Sequence, residues 1–239
     1  MSVRALVTDG IHVEQERDDA VLVAFTDRHG GVSRAPYDSL NLAARVGDDS
    51  AGVETNRARV AEAIGFDVGA LALARQVHGV RVLEVVEGCA GVVGEADILV
   101  TSTPGVVLGI LTADCAPVVL ARDGAVAIVH AGWRGLVAGA IAAGVEVLGD
   151  VRKAWIGPSI QACCYEVGPE VIDSFVTAGL PVADDRHVDT RAAARRALER
   201  AGVGEIEAVG GCTSCDTRYF SYRRDGVTGR QGTFSALLA

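Results

Sequence analysis

Hydrophobic and polar positions along the chain switch between strand-like and helix-like spacing. Residues 21–26 are an apolar run of strand length, the pattern of a strand buried on both faces. An irregular polar stretch follows over 27–41, with Gly30-Gly31 and Pro36. Asp49 or Ser50 can cap a helix over 51–64, which Gly65 would end. From 71 to 130 the signal is β, with strands predicted over 71–77, 80–86, 97–100, 106–111, 117–121 and 125–130. The last two flank Arg122-Asp123-Gly124, a tight hairpin turn. Residues 134–148 are polar only at Arg134 and Glu146 and fit a largely buried helix. A short strand at 154–156 precedes a helix at 169–178 opened by Gly168-Pro169. An arginine-rich helix at 191–200, capped by Asp189 or Thr190 and closed by Gly202, leads to short strands at 206–209 and 234–238. The expected class is α+β, mixed β-sheets flanked by helices, without a regular βαβ alternation. No repeat or linker interrupts it, so residues 1–239 read as one catalytic domain.

Composition narrows the function. The chain has 239 residues, 49% of them hydrophobic, enough apolar material for a sizeable core. Against 31 acidic residues stand 22 basic ones, a net charge of −9, which argues against nucleic acid or an anionic membrane as partner. Lys153 is the sole lysine, so each arginine needs its own account. Residues 1–10 hold no apolar run of signal-peptide length, and the uncharged stretch 98–113 is too short to cross a bilayer. A soluble, cytoplasmic protein is expected. Six cysteines in such a chain suit packing, metal or catalysis better than a disulfide framework.

The densest chemical text is Ala113-Asp114-Cys115 together with His130-Ala131-Gly132-Trp133-Arg134-Gly135. Cys115 and His130 stand at strand ends, where side chains are rigidly held yet open to solvent. Gln76-Val77-His78-Gly79 ends an earlier strand and offers a second imidazole. Each residue alone is more often a packed thiol or a hydrogen-bonded histidine. Together they would form a three-ligand site with an open position, which suits catalytic Zn²⁺. The same ligand set serves blue copper, but that site usually wants an axial Met, and Met1 is the only one. A multicopper oxidase needs about ten imidazoles, and the chain has five histidines, of which His12, His29 and His187 read as surface residues.

Two further motifs stay open. Gly132-Trp133-Arg134-Gly135 either presents a guanidinium and backbone N–H groups to an anion or is a tight turn with Trp133 packed inside. Cys212-Thr213-Ser214-Cys215 has C-x-x-C spacing, but a zinc ribbon needs a second such pair, which Cys163-Cys164 does not supply. Packing or accidental spacing is the expected reading there. Aromatic and arginine residues over 220–230 could stack a base, bind phosphate or pair with the acidic surface.

These motifs come in a familiar order, with Arg28-His29-Gly30-Gly31-Val32-Ser33, Tyr37-Asp38-Ser39-Leu40-Asn41-Leu42, Ile156-Gly157-Pro158-Ser159-Ile160 and Tyr222-Arg223-Arg224-Asp225-Gly226 besides those above. Over residues 21–238 the chain resembles the purine nucleoside phosphorylase family long labelled multicopper polyphenol oxidase or laccase domain, which includes the peptidoglycan editing factor. The resemblance implies a fold similar to cysteine-hydrolase-like toxin domains and a metal site, usually zinc, on His78, Cys115 and His130. It also implies phosphorolysis of adenosine, inosine and 5′-methylthioadenosine, with adenosine deamination as a second activity. Asp27, where the family commonly has Thr, and Cys215, in a variable segment, depart from the pattern without touching the triad.

On this reading purine nucleosides and phosphate are the partners, and zinc, or less fittingly copper, is the cofactor. Arg134 would hold phosphate, Arg28 and Asn41 the nucleoside, and Asp114 would orient a ligand or relay a proton. Two other functions use the same residues. Cys115 could be the nucleophile of a metal-free cysteine hydrolase, with His130 or His78 as base, cleaving an amide in peptidoglycan precursors (UDP-MurNAc-amino acid). Alternatively the site could be a non-catalytic metal module, given a fourth ligand from Cys163, Cys164, Cys212 or Cys215.

Overall fold

The structure is a computed structural model that describes residues 2–17 and 20–238. Its strands fall into two mixed sheets, and the helices cover the two outer faces.

The first half contributes β1 (Arg4–Thr8), β2 (Ile11–Arg17), β3 (Val21–Thr26), helix α1 (Ser50–Ile64), β4 (Leu71–Arg75), β5 (Val82–Glu84), β6 (Gly91–Glu95) and β7 (Ile98–Thr101). Next come β8 (Val107–Thr112), β9 (Ala116–Arg122), β10 (Ala125–Ala131), α2 (Trp133–Ala138), α3 (Ala140–Leu148) and β11 (Lys153–Ile156). Helices α4 (Pro169–Thr177) and α5 (Thr190–Arg200), strand β12 (Glu205–Ala208), the short α6 (Tyr222–Asp225) and β13 (Gln231–Leu237) complete the order. One sheet runs β1-β2-β3-β13-β8-β4-β6 and the other β12-β11-β9-β10-β7-β5.

Three apolar layers hold the molecule together. Between the sheets pack Val23 and Phe25 of β3, Leu108 and Ile110 of β8, Val119 of β9 and Val126 and Ile128 of β10. The alternate residues Val118, Leu120, Ala127 and Val129 face α2–α5 on the far side. Leu22, Ala24 and Phe234 face α1 through Val60 and Ile64. Central strands are thus buried on both faces, which is why they read as continuous apolar runs.

The expected caps form. Asp49 accepts from Gly52 N–H at 3.1 Å, and Gly65 ends α1 in the left-handed region at φ 86. Asp189 accepts from Ala192 N–H at 2.8 Å and so opens α5. Three corrections follow. The helix expected over 134–148 is two helices, because Gly139 sits at φ 89 and ends α2 with bonds back to Gly135 and Leu136 carbonyls. The strands expected at 71–77 and 80–86 are shorter, since 76–79 leaves the sheet to form part of the site. Strands β1, β2 and β6 were not foreseen. β1 is exposed throughout, β2 carries glutamates at half-buried and buried positions, and β6 contains two glycines.

The sole lysine is built into the sheet. Lys153 Nζ lies 3.0 Å from Glu16 Oε2, 3.1 Å from Glu205 Oε1 and 3.0 Å from Glu207 Oε2, and Trp155 Nε1 donates to Glu16 at 2.9 Å. This buried cluster ties β2, β11 and β12 together. Among the described residues no helix is long and apolar enough to cross a membrane.

Candidate functional site

The site lies where the chain crosses from one sheet to the other. β8 ends at Thr112 in the first sheet, and β9 begins at Ala116 in the second. Ala113-Asp114-Cys115 bridges them. β9 pairs antiparallel with β10, with Ala131 opposite Ala116, so Cys115 meets the end of β10 through a hairpin and not through parallel strands. β10 also pairs antiparallel with β7, Val129 opposite Ile98, and one step on His130 N–H donates to Asp97 O at 2.7 Å. His78 comes from the turn after β4.

Asp97 organises this meeting. It is fully buried, and its carboxylate accepts from Val77 N–H at 3.2 Å, His78 N–H at 2.9 Å and Gly79 N–H at 2.7 Å. The same carboxylate lies 2.7 Å from His130 Nδ1. Burial alone would raise its pKa, but the His130 hydrogen bond and the backbone donors outweigh it and keep the group below the usual carboxylate range. An ionised Asp97 puts the His130 proton on Nδ1 and leaves Nε2 as the free donor atom. Gln76 pins the same turn to β8, donating to Leu111 O and accepting from Leu111 N–H, both at 2.9 Å.

One ligand atom each from His78, Cys115 and His130 lies within 4.8 Å of the others. The two imidazoles meet edge to face at 4.8 Å between ring centres, and Cys115 Sγ is 3.9 Å from His78 Nε2. Burial would push the Cys115 thiol up, yet the charge and hydrogen bonding of His130, aided by His78, bring it down to about 6. Burial would likewise lower His130, but Cys115 and Asp97 raise it to about 9. Without metal the pair is therefore thiolate and imidazolium near neutrality. Backbone space is tight here: a Cβ on Gly132 would stand 2.9 Å from His78 Cδ2 and 3.1 Å from Cys115 Sγ.

These donors fit a metal ion. Two imidazole nitrogens and a thiolate sulfur are donors that zinc would accept, Asp97 supplies the carboxylate partner such histidines usually carry, and the three donor residues line open space. That space is a cavity of about 870 Å³. Six arginines line it, Arg45, Arg57, Arg75, Arg134, Arg223 and Arg230, in a chain of net charge −9. Several are engaged: Arg57 with Leu42 O, Arg75 with Glu95, Arg223 with Glu166 O, and Arg230 with Thr228 and Gly229 carbonyls. Arg134 lies 4.3 Å over the Trp133 ring, and its guanidinium makes no hydrogen bond or ion pair among the described residues. Both open readings of the 132–135 motif are thus partly met, with Trp133 half-buried at the cavity wall and a guanidinium available to an anion.

The other expected residues are spoken for. Asp114 is held at φ 100, a strained backbone for a non-glycine residue, and its carboxylate accepts from Thr213 Oγ1 at 2.6 Å and Arg223 N–H at 2.7 Å. It lines the cavity, and its two oxygens are each engaged by these partners. Arg28 and Asn41 are not among the lining residues. Arg28 bonds Asp38, and fully buried Asn41 spends its amide on Ala43, Asp48 and Arg230 N–H. His12 and His29 flank Asp27 at 3.1 Å each, and His187 pairs with Asp184; none is part of the triad. Met1, the one methionine, lies outside the described residues.

Two features escaped the sequence reading. The strand pattern marks Asp97 only as a strand start, although an acid inside Ala96-Asp97-Ile98-Leu99 is an expensive residue to bury. The cysteines at 163, 164, 212 and 215 are not accidental spacing, because one fold region gathers all four sulfurs.

Comparisons with known proteins find relatives over most of the chain. The family described as "Multi-copper polyphenol oxidoreductase laccase" matches residues 22–237. A protein of Pseudomonas aeruginosa named purine nucleoside phosphorylase is 43% identical over 225 residues, covering 88% of this chain and 90% of its own. One of the same name from Deinococcus radiodurans is 44% identical over 225 residues, covering 88% and 87%. Among solved structures, the hypothetical protein YfiH of Bacillus licheniformis superposes with a TM-score of 0.89 at 31% identity, covering 98% of both chains. YlmD of Geobacillus stearothermophilus gives 0.87 at 31% identity, covering 95% of this chain and 99% of that one.

Proposed function

The chain belongs to the multi-copper polyphenol oxidoreductase laccase family, and we propose that this member is a zinc-dependent purine nucleoside phosphorylase of the cytoplasm. Its substrates would be adenosine, inosine and 5′-methylthioadenosine, with adenosine deamination as a second activity. The observation that carries the reading is a His₂Cys donor set opening into an arginine-lined cavity. The names of the relatives from Pseudomonas aeruginosa and Deinococcus radiodurans point the same way. The laccase label does not suit the chemistry available, since five histidines cannot serve several coppers.

His78, Cys115 and His130 would hold the metal, which supplies Lewis acidity at the open position. Phosphorolysis needs an inorganic phosphate oxygen to attack the ribose anomeric carbon while the glycosidic C–N bond breaks and the purine leaves protonated. Arg134, its donors unspent like those of Arg45 and its helix entered directly after His130, is the arginine suited to hold phosphate in place. The remaining arginines offset its charge as the purine departs with the bonding electrons. Asp97 would keep His130 in one tautomer, and Asp114, anchored by buried Thr213, would keep Arg223 in place on the cavity wall. Catalysis is expected from residues 1–239 as one domain.

A metal-free cysteine hydrolase remains the second reading because Cys115 is a ready thiolate beside a histidine oriented by a carboxylate. It predicts a trappable covalent adduct on Cys115 in stripped protein. A non-catalytic module is disfavoured, since the other grouped cysteines form a cluster of their own. The test is incubation with inosine, adenosine and methylthioadenosine, with and without phosphate, and identification of products. Ribose-1-phosphate supports phosphorolysis; purine release indifferent to phosphate contradicts it.

A further inference from the structure

Cys163, Cys164, Cys212 and Cys215 bring four sulfurs within 4.8 Å of one another, outside the cavity. Cys215 Sγ is 3.3 Å from Cys163 Sγ and 3.2 Å from Cys164 Sγ. These separations exceed a disulfide bond of about 2.05 Å by far, and all four cysteines are free. They are near the roughly 3.8 Å between sulfurs that four tetrahedral bonds of about 2.3 Å would set. Cysteines ligating different irons of a cluster need a wider cage. As free thiols the group is poorly provided for. S–H groups are weak donors and acceptors, and Cys163 and Cys215 are exposed.

The backbone around the sulfurs is arranged for ligation. Gln161 N–H donates to the buried Cys212 Sγ at 3.4 Å, a contact that suits a thiolate. Residues 212–215 turn back on themselves, with Asp216 N–H donating to Cys212 O at 2.9 Å. Residues 161–164 do likewise, Cys164 N–H donating to Gln161 O at 3.0 Å. Ser159 bridges Cys212, and Thr213 N–H donates to Ser159 O at 3.2 Å, so the two turns are locked face to face.

We propose that these four cysteines form a second metal site, a closed tetrathiolate that binds one zinc ion and has a structural role. It would differ in kind from the triad, which has three donors and an open position. Its position gives it a purpose. The 161–164 turn continues into Tyr165, which lines the cavity, and the 212–215 turn carries Thr213, which holds Asp114. One zinc would therefore cross-link two turns about fifty residues apart and clamp one wall of the cavity.

The experiment starts from the double variant His78→Ala/Cys115→Ala, which dismantles the triad. The protein is reconstituted with zinc under reducing conditions, then dialysed and analysed for metal. One zinc per chain should persist, with an X-ray absorption shell of sulfur only at about 2.3 Å. Adding Cys163→Ser and Cys215→Ser should remove that equivalent. The proposal is overturned if the double variant retains no zinc and the four thiols of the cluster titrate freely alongside Cys89, or appear as disulfides. A zinc shell containing nitrogen would overturn it equally. Should the quadruple variant fail to fold, the absorption shell of the double variant decides alone.

Discussion

Asp97 Oδ1 lies 2.7 Å from His130 Nδ1, and the same buried carboxylate holds the turn that carries His78. One acid thus fixes the tautomer of one candidate ligand and the backbone of another. Asp97→Asn replaces an acceptor-only group with an amide that must present N–H to at least one donor. Such outer-shell changes cost roughly 10–100-fold in metal affinity. We expect a loss of that size at the triad, measured by chelator competition, with circular dichroism showing the sheets intact.

The metal-free protein should show a distinctive titration. Cys115 falls from an ordinary 9.0 to about 6, and His130 rises from 6.5 to about 9. Stability from the depressed thiol is present above 9.0 and lost as pH falls through about 6. That from the raised imidazole is present below 6.5 and lost as pH rises through about 9. The ion pair therefore spans about pH 6 to 9. Ultraviolet thiolate absorbance, taken as wild type minus Cys115→Ala, should rise near pH 6; a rise near 9 would contradict the pairing.

Gly132→Ala tests the packing at the triad. The backbone at φ −70 accepts alanine, but its Cβ would crowd His78 and Cys115. Overpacking of this sort costs about 1–3 kcal/mol. The triad's metal should be weakened or lost while the protein still folds, as metal analysis and a melting curve would record.

Arg134→Ala should act on phosphate. Hydrogen bonds to charged groups contribute about 1.5–3 kcal/mol, which is roughly 10–150-fold in binding. The KM for phosphate should rise by that order while the KM for inosine moves little.

Lys153→Met should damage stability without touching the site. It strands Glu16, which is 7% exposed, against Trp155. Removing one partner of a buried ion pair costs about 3–5 kcal/mol. Urea denaturation should show that loss, and activity per folded molecule should be unchanged.

Legibility in the sequence followed local chemistry. The helix caps Asp49 and Asp189 act through residues three positions away, so short windows reveal them. His78, Cys115 and His130 stood out because glycines and strand ends surround them. Asp97 was hidden because its importance lies in reaching across sheet partners to His130, a relationship that register and not spacing creates. The cysteine cluster was hidden for the same reason: its pairs are about fifty residues apart, and adjacent Cys163-Cys164 does not copy the C-x-x-C of Cys212 and Cys215. Strand β2 was missed because the alternation begun by Ile11 and Val13 stops at Gln15, and Glu16, buried to serve Lys153, looks like a surface residue in the sequence.

The central claim is that the triad, loaded with metal, drives phosphorolysis. Its most direct test is release of ribose-1-phosphate from inosine by zinc-loaded protein, chelator-stripped protein and Cys115→Ala. Product is expected only with both zinc and phosphate, and none from the variant. Undiminished product from metal-free Cys115→Ala would contradict it.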